Sequence, residues 1–265
     1  MPHRRIGLTV LSALAASAAL PAQAQSTAGA TVRVAAASDL QFALAALAAQ
    51  FERETGIRSV LTFGSSGNLT RQLEQGLPMD LFLSADESLI HRLHQGGWAR
   101  DAGVVYARGR LAWVVQKASS SVLSGQLAGL EASLGASGKL AIANPDHAPY
   151  GRAARAALQT AGLWQPLQSR LVLGENVSQA TQFVSTGSAQ AGLVALSLAV
   201  SPAVAASTRH IAVNEALHPP IIQRMALHRA APASAQQLYA FLQTSAAKKC
   251  SPGMDWVRPG LVAIE

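Results

Sequence analysis

In Thr62-Phe63-Gly64-Ser65-Ser66-Gly67-Asn68-Leu69-Thr70, small hydroxyl residues stand where an apolar run hands over to a helical pattern. Ile57 to Phe63 favours a strand, and Leu69, Leu73 and Leu77 recur at the spacing of one helix face. Such a junction presents unpaired backbone N–H groups at the positive end of a helix dipole. It can hold an anion without a cationic side chain. A serine at a helix start is by itself commonly just an N-cap. Repetition gives the motif weight. Ser38-Asp39, Ser65-Ser66, Tyr150-Gly151 and Asn176-Val177 each follow an extended run and open a helical one.

The same residues allow other chemistry to be considered. Ser65 or Ser66 as a nucleophile would make the chain a secreted serine hydrolase. However, Gly64-Ser65-Ser66-Gly67 is not G-x-S-x-G, and no histidine follows in a persuasive triad setting. His91 and His94 lie three apart on a helix and read as a solvated face rather than a metal pair, with no cysteine nearby. His147 sits in a proline-bounded loop after Asp146, where it either shapes the loop or touches a cleft. Glu175 and Asp86 are not spaced as a recognisable acid/base pair. Trp98, Trp113, Trp164 and Trp256 read as packing residues.

The elements that must position the junctions follow in order. Thr31 to Ala37 is a strand, and Ser38-Asp39 starts a helix with Leu40, Leu44, Leu47 and Phe51 inward and Gly56 at its end. A strand, the Gly-Ser-Ser-Gly turn and a second helix to about Gln75 come next. Met79 to Leu83 is a strand, followed by a helix to about His94 and an extended Val104 to Tyr106. This β-α alternation predicts an α/β fold with helices on a parallel sheet. Arg110 to Gln116, Leu140 to Ala143, Leu171 to Leu173 and Ala189 to Leu193 are further strands. Helices begin near Arg152 and after Asn176. Arg209 to Val213 and Ile222 to Leu227 return as strands, and helices over about Ser234 to Thr244 and Ser245 to Lys249 finish the chain. Two α/β halves with a returning tail predict two lobes: 25–106 plus 208–265, and 107–207. Ligands of parallel sheets bind at the carboxyl ends of the strands. Junctions from both lobes would then face one another across a cleft and surround a dianion with neutral donors.

With 265 residues, 49% of them apolar and 13% charged, the chain can build a substantial core. Residues 1–24 read as a secretory signal peptide: Arg4 and Arg5, an apolar Ile6 to Leu20, and Ala22-Gln23-Ala24 at the cleavage site. Its removal lowers the formal net charge from +7 to +5. The remaining basic residues are scattered, without a basic run interleaved with aromatics, which argues against nucleic acid. The single cysteine, Cys250, has no internal disulfide partner and reads as structural.

Val34-Ala35-Ala36-Ala37-Ser38, Phe63-Gly64-Ser65-Ser66-Gly67-Asn68-Leu69, Asp80-Leu81-Phe82-Leu83-Ser84-Ala85-Asp86 and Asn144-Pro145-Asp146-His147-Ala148-Pro149-Tyr150-Gly151 together resemble the periplasmic molybdate-binding proteins of ABC importers. The likeness runs through nearly the whole mature chain. It implies a type II periplasmic-binding-protein fold: two α/β lobes with mixed, mainly parallel sheets and a ligand cleft between them. It also implies a monomer, not an enzyme and without a cofactor, that captures molybdate or tungstate in the periplasm and delivers it to a membrane permease. The same fold binding sulfate, thiosulfate or an organic anion is the alternative. By this resemblance Ser38 and Ser66 supply hydroxyl and amide donors, and Tyr150 and Val177 supply backbone donors. The chain has Ala195 where family members often carry a tyrosine, so Tyr150 is expected to serve in its place, by hydroxyl or amide. Asp39 departs from the polar donor of some relatives. A carboxylate facing a dianion is repulsive by several kcal/mol at an effective dielectric of about 20. Its side chain is therefore expected to turn away and cap its helix, leaving only its N–H by the ligand.

Overall fold

The computed structural model describes Met1, residues 29–244 and the backbone of Asp255–Trp256. Residues 2–24 of the expected signal peptide, Cys250, the helix expected over Ser245 to Lys249 and the Trp256 side chain lie outside the described residues.

The first lobe opens with β1 (Thr31–Ala37), a 3₁₀ turn at Ser38–Leu40 and α1 (Gln41–Thr55). It continues through β2 (Arg58–Gly64), α2 (Ser66–Glu74), β3 (Leu81–Ser84), α3 (Glu87–Gln95) and β4 (Val104–Gly109). The chain then crosses into the second lobe. There β5 (Leu111–Gln116), α4 (Leu130–Ser133), β6 (Leu140–Ala143), α5 (Pro149–Thr160) and α6 (Trp164–Leu167) follow. Next come β7 (Leu171–Gly174), α7 (Val177–Ser185), β8 (Ala191–Ala195), α8 (Leu196–Ala199), α9 (Pro202–Ala205) and β9 (Thr208–Ala212). β10 (Ile221–Leu227), α10 (Ala233–Leu242) and β11 (Asp255–Trp256) return to the first lobe.

The strands form two sheets, ordered β11-β4-β10-β3-β1-β2 and β7-β6-β8-β5-β9. Both are mixed. Each has a parallel trio, β2-β1-β3 or β7-β6-β8, extended on one side by antiparallel strands. The parallel share is thus smaller than the mainly parallel sheets expected. The lobe boundaries also move. β9 pairs with the free edge of β5, Val114 opposite His210, so residues 208–212 belong to the second lobe. β4 extends to Gly109 in the first. An extended run in sequence does not say which sheet edge it will join, so its pattern alone does not place these boundaries.

Spacing explains the packing. Leu40, Leu44, Leu47 and Phe51 are almost wholly buried against Val32, Val34 and Leu81. Each such side chain contributes about 1.5–3 kcal/mol on burial. Gly56 ends α1 at φ 72°, the left-handed cap that glycine takes without a Cβ penalty. The second lobe has its own core around Trp113, Leu140, Ile142 and Leu193. Both parallel trios aim their carboxyl ends at the gap between lobes, so the loops that start α2, α5 and α7 meet there.

Candidate functional site

Ser38, Asp39, Ser65, Ser66, Tyr150 and Val177 come together around one small cavity, closed in by Ala37, Gly64, Ala85, Ala148 and Pro149. This lining contains no lysine or arginine. It leaves about 10 Å³ for the centre of a water-sized sphere, close to the minimum for a single water. Only a compact guest suits an enclosure this tight, and then only with a slight parting of the lobes. A larger cavity of about 400 Å³ lies alongside, lined by Asp86, Arg152, Pro219 and Ile222 among others. It shares Ala85 and Pro149 with the small cavity but has neither serine pair.

The two serines of the first lobe are oriented alike. Ser66 Oγ accepts from the Ala85 N–H at 3.0 Å, and Ser38 Oγ accepts from the Ser178 N–H at 3.4 Å. An oxygen that accepts from a backbone amide still has its own proton to donate. Ser66 is wholly buried and Ser38 nearly so. In the second lobe the donors are helix starts. Pro149 occupies the first turn of α5, where its missing N–H costs nothing, and Tyr150 follows. Val177 is the first residue of α7, and the Asn176 side chain caps that helix by accepting from the Gln179 N–H at 3.1 Å. The first amides of both helices lack intrahelical acceptors and carry the positive end of the dipole. Two hydroxyls and two sets of helix-start amides, without a cation in the lining, make an arrangement that suits a small anion.

Asp39 corrects the expectation made for it. Its side chain caps neither the 3₁₀ turn nor α1. The buried carboxylate instead accepts from the Tyr150 hydroxyl at 3.1 Å and from Gln223 Nε2 at 2.7 Å, while its Oδ1 has no partner among the described residues. Burial pushes its pKa up from 3.8 to about 6, against the pull of hydrogen bonds from Gln223, Tyr150 and its own amide. Burial, then the Asp39 charge, push the Tyr150 hydroxyl well above its ordinary 10, so the phenol keeps its proton and donates it to Asp39. That hydroxyl also accepts from Gln223 at 3.1 Å. Tyr150 is thus committed by its hydroxyl to Asp39 and Gln223, which leaves its amide for a ligand. Gln223 was missed in the sequence. Its signal was a lone amide in the apolar strand Ile221–Leu227, where it is fully buried.

His147 does more than shape its loop. Its Nδ1 lies 2.8 Å from Ser65 Oγ, and its carbonyl accepts from the Gly67 N–H at 2.9 Å. Glu175 Oε2 stands 3.5 Å from its Nε2. Asn68 donates to Glu175, Arg152 pairs with Asp86, and Ser178 donates to Gln41, so the lobes touch all along the cleft. Ser197 completes the seam by donating to the Asp39 carbonyl at 2.9 Å. On α3, His91 lies 3.9 Å from Glu87, and His94 contacts the Ala99 carbonyl at 3.3 Å.

Residues 32–250 match the family described as bacterial extracellular solute-binding protein. The chain belongs to that family. Over 243 residues it is 34% identical to a protein named molybdate-binding protein ModA from Rhodobacter capsulatus, covering 91% of each chain. It is 38% identical over 169 residues to the Azotobacter vinelandii protein of the same name, which spans 63% of this chain and 66% of that one. Its fold superposes on the solved Azotobacter vinelandii periplasmic molybdate-binding protein with a TM-score of 0.76 at 29% identity, covering 86% of this chain and 99% of that one.

Proposed function

We propose that this solute-binding protein captures molybdate, and with it tungstate, in the periplasm and hands it to the permease of an ABC importer. The observation that carries the reading is the convergence of the Ser38 and Ser66 hydroxyls with the starts of α5 and α7 in a cavity lined by neutral donors. The names of the relatives supply the guest. Ser38 and Ser66 donate through their hydroxyls, and Tyr150 and Val177 through their amides. Each hydrogen bond to a charged oxygen contributes about 1.5–3 kcal/mol. Four or more offset dehydration of the anion and the ordering of two lobes. Sulfate has the same charge and differs in size, so the fit of the closed lobes sets the selectivity. The mature protein acts as a monomer, carries no cofactor, and neither binds nucleic acid nor catalyses a reaction. Calorimetric titration with molybdate, tungstate, sulfate and phosphate tests this: the first two bind at least tenfold more tightly than the others (~1.4 kcal/mol). Equal binding of all four, or of none, would refute it.

One observation favours a hydrolase as a second reading. Ser65, His147 and Glu175 stand in the order nucleophile, base and acid. Against it, Ser65 is buried, and the Glu175 side chain is 60% exposed and 3.5 Å from the imidazole. A solvated acid at that distance orients a histidine poorly. Incubation with a fluorophosphonate is expected to leave Ser65 unmodified, whereas covalent labelling there would establish the hydrolase.

A further inference from the structure

Ser65 and Gly67 flank Ser66, and the Ser65 hydroxyl and the Gly67 N–H both bond to His147 of the other lobe. The Ser65 hydroxyl meets His147 Nδ1 at 2.8 Å, with both residues buried. With the His147 proton on Nε2, Nδ1 accepts from Ser65. The hydroxyl proton of Ser65 is then spent within the protein. Beside it, the Gly67 N–H donates across the cleft to the His147 carbonyl at 2.9 Å. A Cβ built on Gly67 would stand 2.5 Å from that carbonyl oxygen and 3.1 Å from its carbon. No side chain tolerates such an approach, so this seam closes only because residue 67 is glycine. Its backbone is ordinary helix at the start of α2, so the requirement comes from the other lobe rather than from φ and ψ. The His147 loop is itself braced: Asn144 accepts from Ala148 N–H at 2.9 Å through its carbonyl and from Asp146 N–H at 3.0 Å through its side chain.

We propose that Ser65, Gly67 and His147 form a latch that holds the lobes shut independently of the guest, with Gly67 as the close-approach point and His147 as its positioning residue. The latch lies one residue from Ser66 in the first lobe and three from Tyr150 in the second. Engaging it therefore sets the spacing between the serine hydroxyls and the amides of α5. Its contribution to capture rests on the reading of the cavity as an oxyanion site, but the closure itself does not.

The variant Gly67→Ala tests it. Alanine is a better helix former than glycine, so α2 and the first lobe keep their fold, and thermal melting checks this. Dye pairs at Val60→Cys and Leu173→Cys, two exposed positions on the outer strands of the two lobes, report the lobe separation with Cys250→Ser as background. In the parent the pair reads short without a guest and stays short with molybdate, within the slight parting that the guest requires. Gly67→Ala stays long at saturating molybdate and binds about tenfold or more weakly. Ser65→Ala and His147→Ala each speed molybdate release severalfold with little change in capture rate. The double variant is no worse than either single, and His147→Asn, whose side-chain oxygen can replace Nδ1 as acceptor, restores slow release. If Gly67→Ala closes and binds like the parent, or if the two alanine effects simply add, the latch is wrong. Should molybdate prove silent for every variant, the distances without guest still decide. A short distance in the parent and a long one in Gly67→Ala supports the latch, and equal distances overturn it.

Discussion

The two walls of the cleft offer donors of different kinds. The first lobe presents side chains, the Ser38 and Ser66 hydroxyls, each held by a backbone amide from elsewhere. The second presents bare backbone at the starts of α5 and α7, beneath Tyr150 and Val177. A hydroxyl can be deleted by one substitution, whereas an amide survives nearly any. On the proposed reading, the first lobe should therefore be fragile to point mutation and the second tolerant, although both face the same cavity.

The largest effect expected from this asymmetry is in the pair Ser38→Ala/Ser66→Ala. Losing two hydrogen bonds to a dianion costs about 3–6 kcal/mol of molybdate binding, and each single change about half of that. Calorimetry on folded protein checks it, and a loss confined to one serine would mean that the other faces elsewhere. Asp39 comes next. Its carboxyl titrates near 6 in the fold instead of at 3.8. The folded state therefore holds the proton more tightly, and stability that is full below pH ~4 is lost as pH rises through ~6, by about 3 kcal/mol in all. Asp39→Asn should flatten that profile in denaturant titrations at successive pH values. It should also remove a fall in molybdate affinity that the parent shows over the same range, as the carboxylate gains charge beside the dianion. A parent profile as flat as that of the variant would contradict the assignment. Tyr150→Phe sharpens the comparison further. It breaks the hydroxyl bridge and costs about 1–3 kcal/mol of stability by leaving Asp39 and Gln223 less satisfied. The residue 150 amide stays, so molybdate affinity falls less than about tenfold. The smallest effect on binding belongs to Val177→Ala, which removes two buried carbons at about 1.6 kcal/mol of stability and leaves affinity near that of the parent.

How much of this the sequence showed differs in the same way. Helix starts such as Ser66, Pro149-Tyr150 and Asn176-Val177 are written locally, in turn residues and leucine spacing, and the structure brings them together. Contacts between distant segments are not written locally. Asp39 was read as a helix cap because a carboxylate beside a helix start usually is one, but its partners are 111 and 184 residues away. The Gly67 amide meets His147, and nothing in Gly-Ser-Ser-Gly separates a glycine needed for its own turn from one needed by the opposite lobe. β9 was assigned to the wrong lobe for the same reason, since edge pairing depends on which strand is left open.

The central claim is that neutral donors from both lobes hold the guest. A crystal structure with molybdate tests it most directly. The expected result places the oxygens of the anion within hydrogen-bonding distance of the Ser38 and Ser66 hydroxyls and the Tyr150 and Val177 amides, with no lysine or arginine in contact. Molybdate seated instead in the neighbouring cavity against Arg152, away from both serines, would contradict it.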